Sequence, residues 1–303
     1  MLEKVFPPYD RDPQVILSSN AVEVPSFIRA DPGSDRKLLD DFAREWKRFG
    51  RFDAAELDVL TSELFDILPQ EFRGKDIVVA DIGCGSGRWS RWLSRHVGKI
   101  VAIDPSEAVV DAARVNSDRT NISWCMARAE DLPLRSNSID LALCLGVIHH
   151  LEDPSKALKE VHRILRHGGA LYFYIYYALE QRGTIFKWSY RLSDRLRRWM
   201  HPLPYPVKYA KSQVIAALVY WPLARFAWLL KKAGIGRWKD LPLSFYHNKS
   251  FRIMRNDALD RFGTSVEKRF TREEISGMLE RSGFERIRFS GNTPYWHGVA
   301  YRS

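Results

Sequence analysis

The chain has 303 residues, 45% of them apolar and 28% charged. This excludes intrinsic disorder and suits one domain with a large insertion, or two small ones. The net charge is +10, but 13 of the 47 basic residues lie between Arg182 and Lys239 beside a single acid, Asp194. The rest carries 34 basic against 36 acidic residues, so the basicity is a local feature on a near-neutral protein. Cys84, Cys125 and Cys144 form no CxxC pair, so neither a disulfide framework nor a zinc module is expected, and a reducing compartment fits. Residues Met1 to Pro8 lack the apolar run of a secretory signal. The longest uncharged stretches, Ser212 to Ala224 and His167 to Leu179, hold 13 residues each. A spanning helix needs about 20, so none is expected.

In chain order, residues 1 to about 35 are Pro-rich and read as an extended arm. Leu38, Leu39, Phe42, Trp46 and Phe49, then Leu57, Leu60, Leu64 and Phe65, recur at helical spacing and predict two helices broken near Gly50. A strand–helix alternation follows. Strands are predicted at 77–81, 99–104, 121–126, 139–145 and 170–176, with helices from Arg88 to about Val97, Ser106 to about Asn116 and Pro154 to Arg166. After an interruption of roughly 80 residues, Thr271 with Glu274 makes a capping box for a helix to Arg281, and 284–290 and 296–302 read as closing strands. The pattern predicts an α/β fold with a doubly wound parallel sheet. The expected domains are a cap over 1–73, a core over 74–177, a helical basic-aromatic insertion over 178–264 and the C-terminal part of the core over 265–303.

The first strand runs into Asp81-Ile82-Gly83-Cys84-Gly85-Ser86-Gly87. Glycines at a strand-to-helix turn let the backbone approach a ligand closely and leave helix N-terminal amides free. The dinucleotide fingerprint GxGxxG fails, because Arg88 stands where its third glycine belongs. Asp104 closes the second strand 23 residues after Asp81, placed to accept both hydroxyls of a ribose.

The segments DIGCGSGRW, IVAIDPSEAV, AEDLPL and NSIDLALCLGVIHHLEDPSKALKEVHRILRHGGAL, in this order with the closing helix and strands, resemble the class I S-adenosylmethionine-dependent methyltransferases. The branch they most resemble holds the ubiquinone, menaquinone and other small-molecule enzymes (methyltransferase type 11). The resemblance is strong over about 75–177 and weak over 265–303. It implies a Rossmann-like seven-stranded sheet with a reversed last strand, an enzyme, and S-adenosyl-L-methionine as methyl donor. Carried over by position, Asp81, Gly83, Cys84 and Gly85 would wrap the amino-acid part of the cofactor, and Asp104 would hold the ribose. Arg128, Ala129 and Glu130 would lie at the adenine, with Cys144 and Leu145 beneath the cofactor. Arg128 departs from the family, which often has Asp or Asn there. No metal is implied.

Val147-Ile148-His149-His150 follows the fourth strand, the edge where acceptors of this family sit. His149 is the residue suited to take a hydroxyl proton near neutrality; the alternative is that both histidines merely bond nearby backbone. The Asp/Asn-Pro-Pro-aromatic motif of the family's nucleobase and glutamine enzymes is replaced by Leu145-Gly146-Val147-Ile148, against that chemistry.

Arg182 to Lys239 holds 11 aromatics, five of them Trp. Ile185, Trp188, Leu192, Leu196 and Trp199 share one helical side, with most arginines elsewhere. A cationic amphipathic helix rich in Trp reads as lying on an anionic membrane surface; a packed lid over the active site is the alternative. The expected partner is a small-molecule or lipid-linked acceptor, methylated at a hydroxyl, with a cytoplasmic location peripheral to the inner face of the membrane. A tRNA methyltransferase is the alternative, because 146–150 and 178–181 resemble wobble-uridine enzymes. Nucleic acid is the less favoured partner.

Overall fold

The computed structural model describes residues 6–19, 22–28, 39–40, 43–44, 46, 54–179, 183–263, 267–292 and 296–303. It divides into two units, Met1–Tyr177 with Lys268–Ser303, and Ala178–Glu267.

The first unit is built on nine strands: β1 (Val15–Ser19), β2 (Val22–Ser26), β3 (Gly74–Ile82), β4 (Val97–Asp104), β5 (Ile122–Met126), β6 (Ile139–Leu145), β7 (Leu165–Tyr174), β8 (Phe284–Phe289) and β9 (His297–Arg302). Their order in the sheet is β1-β2-β5-β4-β3-β6-β7-β9-β8. The five strands from β3 to β7 run parallel, and β9 lies antiparallel between β7 and β8. The reversed last strand and the doubly wound sheet thus agree with the sequence reading. The hairpin β1–β2 adds two strands beyond the seven, joined to β5 by Ser26 opposite Met126. The arm is therefore partly sheet.

Alternation along the strands divides the core in two. Ala80, Ile82, Val101, Ile103, Ala142 and Cys144 face one way, with α4 (Pro154–Ile164) and α9 (Arg272–Arg281) over them. Val79, Ile100, Ala102, Leu141 and Leu143 face the other, under α1 (Ala54–Leu64), α2 (Arg88–Leu93) and α3 (Ala108–Val115). Every residue of β6 is buried, which is why its sequence reads as an apolar run without alternation. Its one acid, Asp140, is tied to the Val78 amide at 2.7 Å and to Arg166 at 2.5 Å; this part of the motif is structural. The capping box at Thr271 and Glu274 is formed. Helix α2 ends at Leu93 rather than near Val97, because Val97 already belongs to β4. Of the two N-terminal helices, the second is α1; the break near Gly50 and much of the first lie outside the described residues.

The second unit is helical: α5 (Thr184–Met200), α6 (Tyr205–Ile215), a π turn Ala216–Tyr220, α7 (Trp221–Lys232) and α8 (Phe251–Gly263). From α6 through α7 the chain is one rod, Tyr205–Lys232, of 28 residues, long and apolar enough to cross a membrane by length and composition. This corrects the expectation of no such helix, which rested on uninterrupted uncharged runs; Lys208, Lys211 and Arg225 break the run but not the helix. The π turn explains how Pro222 is carried. The Trp221 amide bonds Ala216 five residues back, and the widened turn accommodates a proline that would otherwise kink the helix. It also aligns the buried row Lys208, Ser212, Ala216, Tyr220 and Ala224. Steps of four residues drift by about 40° each in a pure α-helix, and the π turn absorbs that drift.

Candidate active site

In the parallel register Ile82 lies beside Ile103 and Cys144, Asp104 beside Met126, and Leu145 beside Tyr174. The carboxyl ends of β3 to β7 therefore form one edge, where α/β sheets place their ligands.

At its centre the turn after β3 is fixed by the amides of Gly83 and Cys84, both bonded to Ile103 O at 2.8 and 2.9 Å. Gly83 sits at φ +71°, and a Cβ there would fall 2.2 Å from Cγ2 of Val147. Gly85, at φ +53°, faces the Trp46 indole, which a Cβ would meet at 2.7 Å. Arg88 lies 5.1 Å from the Trp46 ring centroid. The loop is thus a cradle of backbone that side chains would fill.

Two buried acids flank it. Asp81 accepts from Ser90 Oγ at 2.5 Å. Burial pushes its carboxyl up to about 6; the Ser90 bond opposes the rise and the Asp104 charge adds to it. Asp104 accepts from the Gly85 amide at 2.9 Å through Oδ2, and from the Ser106 amide and hydroxyl at 2.9 and 2.6 Å through Oδ1. Burial raises its pKa too, against these bonds. A carboxylate offers about four acceptor positions. Three are taken, so one remains on Oδ2, enough for one ribose hydroxyl rather than both.

The Ala127 amide bonds Asp104 O at 3.3 Å and leads into Arg128, Ala129 and Glu130, of which Ala129 is buried. Cys144 and Leu145 are buried at the end of β6. The three cysteines are free thiols, and burial raises their pKa values. Thiols raised in this way stay protonated near neutral pH.

His149 is fully buried in the short 3₁₀ turn Ile148–His150. Its ring stacks on Tyr176 at 3.7 Å and lies 4.2 Å from His150. Its Nδ1 accepts from the Tyr176 amide at 3.3 Å. Burial, with the charges of His150 and Arg269, holds its pKa well below the usual imidazole range, so the ring is neutral at pH 7. With Nδ1 accepting, the proton sits on Nε2. His149 Nε2 and Ser86 Oγ are buried polar atoms without a hydrogen-bond partner among the described residues. One lies on the glycine loop after β3 and the other beyond β6, and Val147 links the two regions through Gly83. A buried polar group without a protein partner calls for one, which water, an ion or a ligand can supply.

Sequence reading did not single out Ser86, Ser90, Tyr176 or Trp46 as parts of the site, nor a network around Asp66. That carboxylate holds His297 Nε2 at 2.7 Å, Ser290 Oγ at 2.6 Å and Asn292 Nδ2 at 2.8 Å. His297 pairs with Tyr174 at the same sheet edge. Partners more than 220 positions apart leave no local signal.

The strand order, the glycine cradle and the acid on the neighbouring strand are those expected of a class I S-adenosylmethionine-dependent methyltransferase domain. Residues 80–173 match the family model described as a methyltransferase domain. The chain is 28% identical over 138 residues to a ubiquinone biosynthesis O-methyltransferase of Coxiella burnetii, covering 45% of this chain and 58% of that one. It is 37% identical over 108 residues to a tRNA U34 carboxymethyltransferase of Campylobacter curvus, covering 35% and 36%. The chain thus spans less than two thirds of the length of these curated relatives. A solved S-adenosylmethionine-dependent methyltransferase of Thermotoga maritima, described as a possible histamine N-methyltransferase, aligns with a TM-score of 0.47 at 18% identity, over 88% of this chain and 100% of that one.

Proposed function

We propose that the chain transfers a methyl group from S-adenosylmethionine to an oxygen of a small-molecule or lipid-linked acceptor, with His149 as the base. The observation that carries this reading is the neutral, fully buried imidazole with an unpartnered Nε2 beyond β6. Gly83, Cys84 and Gly85 would hold the amino-acid portion of the cofactor with Asp81, Asp104 would hold its ribose, Arg128 to Glu130 would lie at its adenine, and Cys144 and Leu145 would lie beneath it. When bound, the cofactor supplies an electrophilic methyl on a sulfonium.

The work left to the chain is positioning, exclusion of water and removal of one proton. For Nε2 to accept that proton, the ring must move its own proton to Nδ1 and give up the Tyr176 bond. That tautomer sets Nδ1–H against the Tyr176 N–H, and a buried donor left unsatisfied costs about 1–3 kcal/mol, roughly five- to 150-fold in rate, against the 10²–10⁴ that a placed base contributes. A depressed pKa makes His149 a weak base, which suits an acceptor hydroxyl of phenolic acidity, near 10 as in tyrosine, better than an aliphatic alcohol.

The similarity to the tRNA enzyme supports a second reading, transfer to a modified tRNA base. Labelled cofactor incubated with cell extract and the protein separates the two. The first reading expects label in a ribonuclease-resistant small or lipid-soluble product. Label that disappears with ribonuclease would replace it with the second.

A further inference from the structure

Helix α5 and the rod Tyr205–Lys232 belong to one unit, and both turn apolar side chains outward. On α5, Trp188, Leu192, Leu196 and Trp199 recur at steps of four, four and three, one stripe of a helix. They are 63%, 55%, 36% and 57% exposed. One residue earlier at each step stand Lys187, Arg191, Arg195 and Arg198, all exposed, forming a parallel basic stripe. The inward side of α5 carries its polar groups beside Met200, which is buried in the unit's apolar cluster: Arg261 donates to Ser193 Oγ at 3.1 Å, and Arg197 pairs with Asp194 at 3.0 Å. A helix that buries its apolar stripe in its own fold would be turned the other way.

Lys211 Nζ stands 3.8 Å from the Trp199 ring centroid, so the end of the α5 stripe meets α6. There the outward side of the rod continues with Val207, Val214 and Leu218, and beyond the π turn with Phe226 and Leu229, all exposed. Single exposed apolar residues are ordinary, whereas adjoining rows of them mark an interaction surface.

Charge selects the occupant. A second copy of the chain would bring two basic stripes together. Nucleic acid would answer the charge and leave the aliphatic rows in water. An anionic lipid surface answers both, because Lys and Arg meet headgroups while Trp, Leu and Val enter the acyl boundary. Among the described residues of the unit, Asp194 pairs with Arg197 and with Arg198 of the stripe, Asp240 is exposed beyond the end of the rod, and Asp257, Asp260 and Glu267 belong to α8 and the segment after it, so basic residues outnumber acids on α5 and the rod.

We infer that this face of the helical unit is a docking surface for anionic lipid, with α5 and the rod lying in the plane of the interface. The rod does not cross the bilayer, because its other side is packed along its length. Lys208, Ser212, Ala216, Tyr220 and Ala224 are buried, and Arg225 donates to Lys249 O at 2.8 Å. The inference goes beyond the proposed reaction and does not depend on its acceptor.

The test sediments the full chain with vesicles of phosphatidylcholine, alone or with phosphatidylglycerol. The protein is expected to pellet with the anionic vesicles and to be released in part by salt. Arg191→Gln with Arg195→Gln should lower partitioning about 25-fold, at roughly fivefold per basic residue. Trp188→Ser with Leu192→Ser should remove the fraction that salt does not release. Both pairs are exposed, so melting temperature and cofactor affinity should stay unchanged and certify the fold. Equal recovery in the supernatant with and without anionic lipid at low salt would overturn the inference. So would resistance to alkaline extraction, which marks a spanning helix. A lipid-indifferent dimer that Trp188→Ser with Leu192→Ser dissociates would assign the face to a second copy, and RNA binding without vesicle binding would assign it to nucleic acid.

Discussion

Replacing Asp104 by Asn tests the cofactor site at the residue where function and fold share the same atoms. The carboxylate has one acceptor position left on Oδ2, beside the Gly85 amide it already holds at 2.9 Å. A charge-assisted hydrogen bond lost from that position costs about 1.5–3 kcal/mol, a tenfold to roughly 150-fold loss of affinity for S-adenosylmethionine. The substitution also reaches the fold, because the new amide group cannot accept from all three of Gly85 N–H, Ser106 N–H and Ser106 O–H. A buried donor left unsatisfied costs about 1–3 kcal/mol, partly offset because burial already disfavours the Asp104 charge. Melting should fall by about 2–4 °C for each kcal/mol lost. Asp104→Ala would strand all three donors and lose more. Calorimetric titration of Asp104→Asn well below its melting temperature measures the affinity apart from the folding loss. A folded variant that binds the cofactor within threefold of wild type would remove Asp104 from the site.

Asp81→Asn should stabilise the cofactor-free chain above pH 6 while weakening cofactor binding. The folded pKa, near 6 against an ordinary 3.8, means that the ionised form costs stability, fully absent below pH 3.8 and fully present above 6, with an upper bound of about 3 kcal/mol. Thermal melts at pH 8 and pH 4 should show a gain that vanishes at the lower pH; an equal or lower melting temperature at pH 8 would contradict this. Gly83→Ala should abolish cofactor binding and destabilise the chain by about 1–3 kcal/mol from its positive φ alone, with the Val147 clash added. Val147→Ala in the same chain should recover part of the stability, and no recovery would show that the clash is not what matters. His149→Ala should lower turnover about 10²–10⁴-fold with cofactor affinity unchanged. The wild-type acid limb should lie well below pH 6.5, because the ring stays neutral there; turnover within threefold of wild type would make the histidine structural.

The core was legible because each strand–helix step leaves a local mark. Glycines follow Asp81, Asp104 closes the next strand, and Thr271 with Glu274 opens the last helix. Boundaries slipped where one residue serves two elements. Val97 reads as the end of a helix yet starts β4, and Leu165 and Arg166 read as helix yet start β7. Of the predicted site residues, Asp81, Gly83, Cys84, Gly85, Asp104, Cys144 and Leu145 gather at one sheet edge, because strand register fixes them. The partners that set their protonation are a different matter. Ser90 on Asp81, the Tyr176 amide on His149 and the Asp66–His297 pair depend on how a turn, a strand end and two distant segments pack, and sequence spacing carries no record of that.

Periodicity has a further limit, visible in α5. The spacing of Trp188, Leu192, Leu196 and Trp199 fixes that they share a side and leaves open which way that side faces. Direction is decided by what the rest of the unit offers. Here Arg261, bonded to Glu267 at 2.8 Å and to Ser193 at 3.1 Å, draws the polar side of α5 inward. A guanidinium that is only 11% exposed must be answered by acids and hydroxyls, and the side of α5 bearing Ser193 and Asp194 supplies them. The unit thus satisfies a buried charge at the cost of leaving four large apolar residues in water. On the 25 cal/mol per Å² scale that is a substantial loss for an isolated soluble unit, and it is recovered when an apolar medium covers the face. The direction in which α5 is turned therefore follows from Arg261, a residue more than sixty positions away, and the same choice makes the outward face suited to lipid.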